Sequence, residues 1–303
     1  MKNYKYILLL IIVTFFMGAE FPVIKIGLET VPPLLFIGIR FLFAGLILFI
    51  IYFNRIKSAF KKDIIIPALI LSIFLFMGFL TANFGIKYTT ATNSGFYISL
   101  VVLFTPILGW LIFKKPIAKE VLISVVIIVV GIYLISTDSG TMSFNTGDLL
   151  CLLSAVFYSL QIIFTALYVK RHNPLVISLL QIGFVSIFGF CGSLIFETFP
   201  KVSSIGLQGW MSLIFTGIIA TAFVYTVQSF AQTVVPPSNI GIIYSFEPVF
   251  SAVLSFIMLG EKLGIKGIIG GSFIVSSALI YNILSYKSND SCADNNYIDE
   301  VSL

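Results

Sequence analysis

Charged residues are scarce in this 303-residue chain. Only 10% of its residues are charged, whereas 58% are hydrophobic and the mean hydropathy is +1.07. A soluble domain carries about 25% charged residues, so the composition excludes a surface made for water. The basic residues give a net charge of +5 but lie in short segments between apolar runs, which argues against nucleic acid as a partner. The sequence predicts an all-α polytopic membrane protein embedded in a lipid bilayer.

Residues that carry enzyme chemistry are also scarce. The three cysteines, Cys151, Cys191 and Cys292, show no CxxC spacing, and the one histidine, His172, lies in a basic loop. The sequence contains neither a GxSxG nucleophile motif nor a phosphate-binding loop. Because intramembrane hydrolases and transferases usually need such groups, we expect no metal site, no cofactor and no direct use of ATP. An intramembrane enzyme is only a distant alternative.

Long apolar runs recur along the chain. Each has about 18–23 residues and can cross about 30 Å of hydrocarbon at 1.5 Å per residue. They predict ten spans, at residues 6–28, 33–53, 64–86, 93–113, 119–136, 148–169, 174–196, 209–230, 238–259 and 266–285. The polar and acidic residues 287–303 are predicted to form a disordered tail.

The segments between the spans show a strong charge bias. With a cytoplasmic N-terminus, twelve lysine and arginine residues fall on the cytoplasmic side and four on the outer side. The last two of the eighteen, Lys25 and Arg40, lie within spans. Because basic residues concentrate on the cytoplasmic side, we predict that both termini are cytoplasmic.

Three charged residues interrupt the apolar sequence between Met17 and Arg40. Glu20 and Lys25 lie in the first span with Pro22 between them, and Arg40 lies in the second. A charge near the bilayer centre costs roughly 2.5–3.5 kcal/mol, so Glu20 and Arg40 should face protein or a wet cavity. Lys25, about 5 Å from the outer boundary, is expected to snorkel there. Two interpretations stay open: a hydrated pocket, or a Glu20–Arg40 ion pair that only locks two helices together.

The chain also repeats itself. The matched pairs are Glu20 with Gln161 and Arg40 with Gln181 at an offset of 141, and Asn93 with Asn239 at an offset of 146. Each unit would contain five spans, and an odd number reverses the membrane direction of the second copy. We therefore predict two inverted five-helix repeats, at residues 1–140 and 141–286, with a substrate site near the midplane where they meet.

Polar residues and prolines within the spans are the candidates for function. Candidates for substrate or proton binding are Glu20, Arg40, Asn93, Tyr97, Gln161, Gln181, Tyr225, Gln228, Tyr244 and Glu247. Candidates for helix breaks or gates are Pro22, Pro106 and Pro248. Glu247 is either a cation or proton site, or a carboxylate bonded to a helix that Pro248 loosens. For the amides and hydroxyls, hydrogen bonds between helices are the alternative to substrate binding.

Several motifs resemble the EamA-type domain of the drug/metabolite transporter superfamily. They are Phe21-Pro-Val-Ile-Lys-Ile-Gly-Leu, Val31-Pro-Pro-Leu-Leu-Phe, Gly85-Ile-Lys-Tyr-Thr-Thr-Ala, Gly147-Asp-Leu-Leu-Cys-Leu-Leu-Ser-Ala, Ser245-Phe-Glu-Pro-Val-Phe-Ser-Ala and Leu259-Gly-Glu-Lys-Leu. Their order and spacing extend over nearly the whole chain. The resemblance implies a ten-helix secondary transporter in a bacterial plasma membrane, commonly an exporter of amino acids, other metabolites or drugs.

The sequence departs from that pattern at three places. Lys115 stands opposite Glu261, Pro106 lies one helical turn later than Pro248 does, and Glu20 replaces a residue that is more usually small or an amide. These departures weaken any direct transfer of a relative's substrate.

Buried charges, the repeat and the resemblance together predict a carrier of a small organic solute that works by alternating access and exports its substrate. Glu20 is predicted to bind a proton and a cationic substrate in turn, as the membrane glutamate does in small multidrug resistance relatives. The alternative is a proton- or ion-coupled uptake carrier for a small cationic solute.

Overall fold

The computed structural model describes residues 3–114, 119–137, 144–224, 226–227 and 243–296. Within these ranges the regular elements are helices, without a strand. The α-helices are α1 (Asn3–Gly27), α2 (Pro33–Ala59), α3 (Ile65–Tyr88), α4 (Ala91–Ser99), α5 (Val101–Phe113), α6 (Lys119–Ser136), α7 (Thr146–Tyr168), α8 (Pro174–Phe196), α9 (Gly206–Ile214), α10 (Glu247–Leu259) and α11 (Ile265–Asn296). Helix α9 continues directly into a π-helix, Phe215–Phe223.

The helices account for all ten predicted spans. Seven segments are long and apolar enough to cross a membrane: Tyr6–Gly27, Pro33–Asn54, Lys62–Tyr88, Ala91–Phe113, Thr146–Tyr168, Pro174–Phe196 and Gly206–Phe223. Three shorter apolar helices, Ile123–Ile135, Glu247–Leu259 and Ile265–Ile280, fall on the remaining spans. Large apolar side chains such as Ile50, Leu111 and Phe196 are exposed on the outside of the bundle, as lipid contact requires. The chain is a multi-pass membrane protein.

Helix packing follows the predicted repeat. Helix α2 packs on α8, α4 on α10 and α6 on α11, so each pairs with its own equivalent from the other half. Helix α3 of the first half packs on α7 of the second. The equivalent pair, in which α1 packs on α9 and the π-helix, is also in contact. The first five and last five spans are therefore arranged about a pseudo-two-fold axis, as two inverted repeats require.

The fourth span is interrupted, but not at the proline predicted to break it. Helix α4 ends at Ser99 and α5 begins at Val101, whereas Pro106 lies inside α5. At the interruption, the Ser99 hydroxyl donates to the Phe96 carbonyl oxygen at 2.7 Å. The Leu100 amide also bonds three residues back, to Tyr97. These tighter i→i−3 bonds end the α-helical pattern before Pro106 is reached.

The other two proline candidates differ from each other. Helix α1 continues through Pro22 to Gly27, so the helix does not end there. Pro248 lies in the first turn of α10, where a missing amide costs no helical bond. At the repeat offset of 146, Leu100 corresponds to Phe246, so both halves interrupt the same span at the same register.

Helix α11 is longer than predicted. It extends to Asn296, so residues 287–296 of the tail predicted to be disordered are helical. These residues contain no proline or glycine, the usual helix terminators. Two site candidates, Tyr225 and Gln228, lie outside the described residues.

Candidate functional site

Arg40 carries an enclosed charge in the second span. Its side chain is 2% exposed, and its Nη1 donates to Glu20 Oε1 at 2.6 Å. Nε and Nη2 both donate to Thr221 Oγ1, at 3.0 and 2.9 Å. The guanidinium carbon lies 4.7 Å from the centre of the Phe79 ring and 5.5 Å from that of Phe41. Each nitrogen of Arg40 is thus engaged, with an aromatic face as further support.

The π-helix positions the hydroxyl that Arg40 uses. Thr221 Oγ1 donates its proton to the Thr216 carbonyl oxygen, five residues earlier, at 2.8 Å. Its lone pairs therefore point away from its own helix and accept from Arg40. A Cβ atom built on Gly217 would lie 2.8 Å from the Arg40 carbonyl oxygen, so α2 and the π-helix approach at backbone distance. Sequence analysis missed Thr221, since a threonine in an apolar span carries little signal by itself.

The ion-pair interpretation of Glu20 and Arg40 is therefore the one that the geometry supports. The pair joins α1 to α2, and Thr221 extends it into the second repeat. Glu20 still reaches a cavity, because its side chain is 18% exposed and lines that cavity.

That cavity consists of two adjoining chambers between the repeats. The polar chamber, about 310 Å³, is lined by Glu20, Arg40, Asn83, Gln161 and Glu247 among apolar and aromatic residues. The apolar chamber, about 480 Å³, is lined by Val102, Thr105, Pro106, Tyr244, Ile274, Val275 and others. Both are bounded by Met17, Ser99, Val101, Ile162 and Glu247, so they share a wall. We call the two together the central cavity.

Glu247 lies at the junction of the chambers. It is half-buried and accepts no hydrogen bond from the other described residues. Helix α10 reaches this place through close contacts with glycines on α1 and α4. A Cβ atom on Gly18 would lie 2.9 Å from the Glu247 carbonyl oxygen, and one on Gly95 would lie 2.5 Å from Ser251 Oγ. The glycines therefore let α10 cross both helices and carry its carboxylate to the centre.

The remaining candidates divide into two groups. Tyr244 lines the apolar chamber, and Gln161 lines the polar chamber while it donates to Thr165 Oγ1 at 3.0 Å. Asn93, Tyr97 and Gln181 do not line the cavity. Tyr97 is fully buried in the apolar core, Gln181 donates to the Leu71 carbonyl oxygen at 3.2 Å, and Asn93 lies beside Asp148.

Asn83 is a polar cavity residue that sequence analysis did not select. It is 1% exposed, its Nδ2 donates to the Pro33 carbonyl oxygen at 3.4 Å, and its Oδ1 has no hydrogen-bond partner within the part of the chain that the structure describes. The contact with a carbonyl oxygen fixes which amide atom is the nitrogen. The oxygen is therefore an acceptor without a donor.

One end of the bundle is joined across the repeats by carboxylates. Glu197, at the end of α8, accepts from the Leu34 and Leu35 amides in the first turn of α2, at 2.8 and 2.9 Å. Glu261, just after α10, accepts from the Ala91 and Thr92 amides at the start of α4, both at 2.9 Å. Each satisfies amides that have no partner within their own helix and complements the positive helix end. We call this end the capped end.

Lys25 also binds at the capped end. Its Nζ lies 3.4 Å from Glu261 Oε1 and donates to the Thr89 carbonyl oxygen. The Thr89 hydroxyl donates to Asp148 Oδ1 at 2.5 Å, which connects the α3–α4 turn to the start of α7. The prediction that Lys25 only snorkels to the boundary is therefore incomplete, since it pairs with the second repeat.

Comparison with known proteins agrees with this architecture. The sequence profile of the EamA-like transporter family matches residues 4–137 and again 145–283. An uncharacterized transporter of Archaeoglobus fulgidus is 31% identical over 278 residues, which cover 90% of this chain and 84% of that protein. The uncharacterized transporter YetK of Bacillus subtilis is 28% identical over 276 residues, with 85% and 82% covered. A solved structure titled "Crystal structure of protein" superposes with a TM-score of 0.65 at 16% identity, over 92% of this chain and 97% of that one, and shows the fold alone. The chain therefore belongs to the EamA-like transporter family.

Proposed function

We propose that this protein is a secondary carrier that exports a small organic solute across the plasma membrane of a bacterium by alternating access. The observation that supports this most directly is the central cavity, which lies between two inverted repeats and has the carboxylate of Glu247 at its centre. Carriers of this architecture bind their substrate near the midplane, at the repeat interface. An ion pair that served packing alone would not require two chambers beside it.

The capped end supplies the gate in this proposal. The charge bias of the loops assigns the capped end to the outside of the cell. Glu197 and Glu261 join the second repeat to the first at that end. Alternating access requires these bonds to break and re-form in each cycle. The described state is thus the one in which the cavity is closed to the outside.

Proton coupling is assigned to Glu247 rather than to Glu20. Glu20 is engaged by Arg40 at 2.6 Å, whereas Glu247 has no donor among the described residues. A carboxylate without a fixed partner can take up a proton when the cavity is empty and release it when a substrate binds. We expect the purified protein to release protons into a weakly buffered solution on substrate binding, and Glu247→Gln to abolish this release.

Counterflow in proteoliposomes tests the carrier. The purified full-length chain is reconstituted and assayed with a panel of radiolabelled amino acids, amines and lipophilic cations. A carrier gives saturable uptake that is accelerated by unlabelled substrate inside the vesicle. We expect Glu247→Gln to lower this exchange at least tenfold, whereas the control Glu29→Gln, which changes an exposed carboxylate away from the cavity, leaves it unchanged. Flux that rises linearly with concentration, without exchange, would indicate a channel instead.

A further inference from the structure

Among the described residues that line the polar chamber, unpaired hydrogen-bond acceptors outnumber unpaired donors. Arg40 donates from Nη1 to Glu20 and from both Nε and Nη2 to Thr221, so each of its three nitrogens already makes a hydrogen bond and only the second N–H of Nη1 and of Nη2 is left. Among the described residues, Glu247 and the second carboxylate oxygen of Glu20 receive no hydrogen bond. Asn83 Oδ1, on a side chain that is 1% exposed, is likewise without a donor. A ligand that brings N–H groups would therefore satisfy more of these oxygens than one that brings only acceptors.

The charges point the same way. Once Glu247 has released its proton, Glu20 and Glu247 carry two negative charges against the single positive charge of Arg40, which leaves one in excess. Lys25 is committed to Glu261 and Thr89 at the capped end. The other basic residues lie at or beyond the ends of the ten predicted spans. A carboxylate brought into the chamber would thus lie beside two carboxylates and one arginine that is already paired with Glu20, whereas a monocation would neutralise the excess.

The apolar chamber determines what kind of monocation fits. It adjoins the polar chamber at Glu247 and is walled mainly by aliphatic side chains, including Val102, Pro106, Ile274 and Val275. The hydroxyl of Thr105 on the same wall is already used on the Val101 carbonyl oxygen at 2.7 Å. Tyr244 Oη, also on this wall, has no hydrogen-bond partner among the residues that the structure describes. The apolar part of a ligand therefore suits this chamber, and the Tyr244 hydroxyl could accept or donate one hydrogen bond there.

We infer that the carrier takes an organic amine without a carboxylate, whose ammonium group is held by Glu247 and whose apolar body occupies the adjoining chamber. An ammonium has three donors and no acceptor, which matches the unfilled oxygens of Glu247, Glu20 and Asn83. Amino acids are disfavoured because their carboxylate would be desolvated beside Glu20 and Glu247, while Arg40 is already paired with Glu20. This inference rests on the proposed carrier function and specifies its substrate class.

A matched set of ligands tests the inference. 2-Phenylethylamine, phenylalanine and 3-phenylpropionate share an apolar body and differ only in the amine and the carboxylate. We expect calorimetry on the purified full-length protein to give a Kd for 2-phenylethylamine at least tenfold lower than that for phenylalanine, with no detectable binding of 3-phenylpropionate. Glu247→Gln should raise the amine Kd at least tenfold, and Glu29→Gln should leave it within twofold.

The three ligands are compared on the wild-type protein, so this part of the test does not depend on whether a variant folds. Phenylalanine bound as tightly as 2-phenylethylamine, or an amine Kd unchanged by Glu247→Gln, would overturn the amine assignment. If an amino acid then shows saturable exchange in proteoliposomes, the protein is a carrier as proposed, but its substrate is not an organic amine. Absence of saturable exchange for every solute in the panel would count against both proposals.

Discussion

The two halves of the molecule use different chemistry at equivalent positions. In the first half, Glu20 and Arg40 form a 2.6 Å ion pair between α1 and α2. In the second half, the equivalent residues are Gln161 and Gln181, and they bond elsewhere. Gln161 donates to Thr165 within its own helix, and Gln181 donates to a carbonyl oxygen of α3. The helix arrangement thus does not need the charges, since the same packing forms with amides.

The two ends of the bundle differ in the same way. At the capped end, Glu197 and Glu261 of the second repeat bind amides of the first. The repeat offsets match Glu197 with Ile56 and Glu261 with Lys115. Neither isoleucine nor lysine can accept a hydrogen bond from a helix N-terminus, and a lysine is repelled by its positive dipole. This asymmetry favours closure of the capped end over closure of the opposite end.

Replacing Glu20 and Arg40 by glutamine gives the first half the side chains that the second half has, and it is expected to change stability most. Arg40→Gln leaves the Glu20 carboxylate without its partner, and removal of one member of a buried pair costs about 3–5 kcal/mol. Because Glu20 is 18% exposed, we expect the lower part of that range. The double variant Glu20→Gln with Arg40→Gln should recover most of the loss. Thermal unfolding of the detergent-purified protein measures both.

A double variant no more stable than Arg40→Gln alone would show that the guanidinium acts through Thr221 and the aromatic rings rather than through Glu20.

Thr221→Val tests the contribution of the π-helix to the same site. The change keeps the shape of the side chain but removes the oxygen that accepts two bonds from Arg40. Leaving such buried donors unpaired costs about 1–3 kcal/mol. Thr221→Ser, which keeps the hydroxyl, is the matched control and should cost less than half as much in the same unfolding assay. Equal losses in both variants would mean that the methyl group, not the hydroxyl, matters.

Glu261→Gln should loosen the capped end. The amide keeps one acceptor oxygen but loses the charge that pairs with Lys25 and with the α4 N-terminus. We expect the equilibrium between closed and open states to shift about tenfold, since helix-end and ion-pair terms together amount to roughly 1–2 kcal/mol. Spin labels on α4 and α10 at this end would report the open population by their distance distribution. A distribution identical to that of the wild type would argue that Glu261 is not part of the gate.

Lys115→Glu tests the difference between the two ends of the bundle, and we expect a small effect. It gives the opposite end the carboxylate that the repeat offset matches with Glu261. The added carboxylate should stabilise closure of the opposite end and so favour opening of the capped end by about 0.5–1 kcal/mol. The same spin labels would report this change in the open population. Lys119→Glu, a similar charge change a few residues away, serves as the control. A shift in the control as large as in Lys115→Glu would assign the effect to net charge alone.

Features that depend on local physics could be predicted from the sequence. Hydropathy located the ten spans because each must be apolar along its whole length, and the buried charges Glu20 and Arg40 stood out against that background. In span 4 the sequence offers Pro106 as a candidate for a helix break or gate, because proline is the local signal for a break. The structure places the break at Leu100, where hydrogen bonds of Ser99 and its neighbours decide it.

From the amino-acid order alone it follows that the chain crosses a membrane many times, in two related units, and that a few charges must be enclosed. The residues that enclose them are known only from the folded arrangement. Thr221 meets Arg40 across 181 residues, Glu197 meets α2 across 163, and Glu261 meets α4 across 170. No local pattern encodes such partners, because a hydroxyl or carboxylate acquires its role from the backbone amide or guanidinium that folding brings against it.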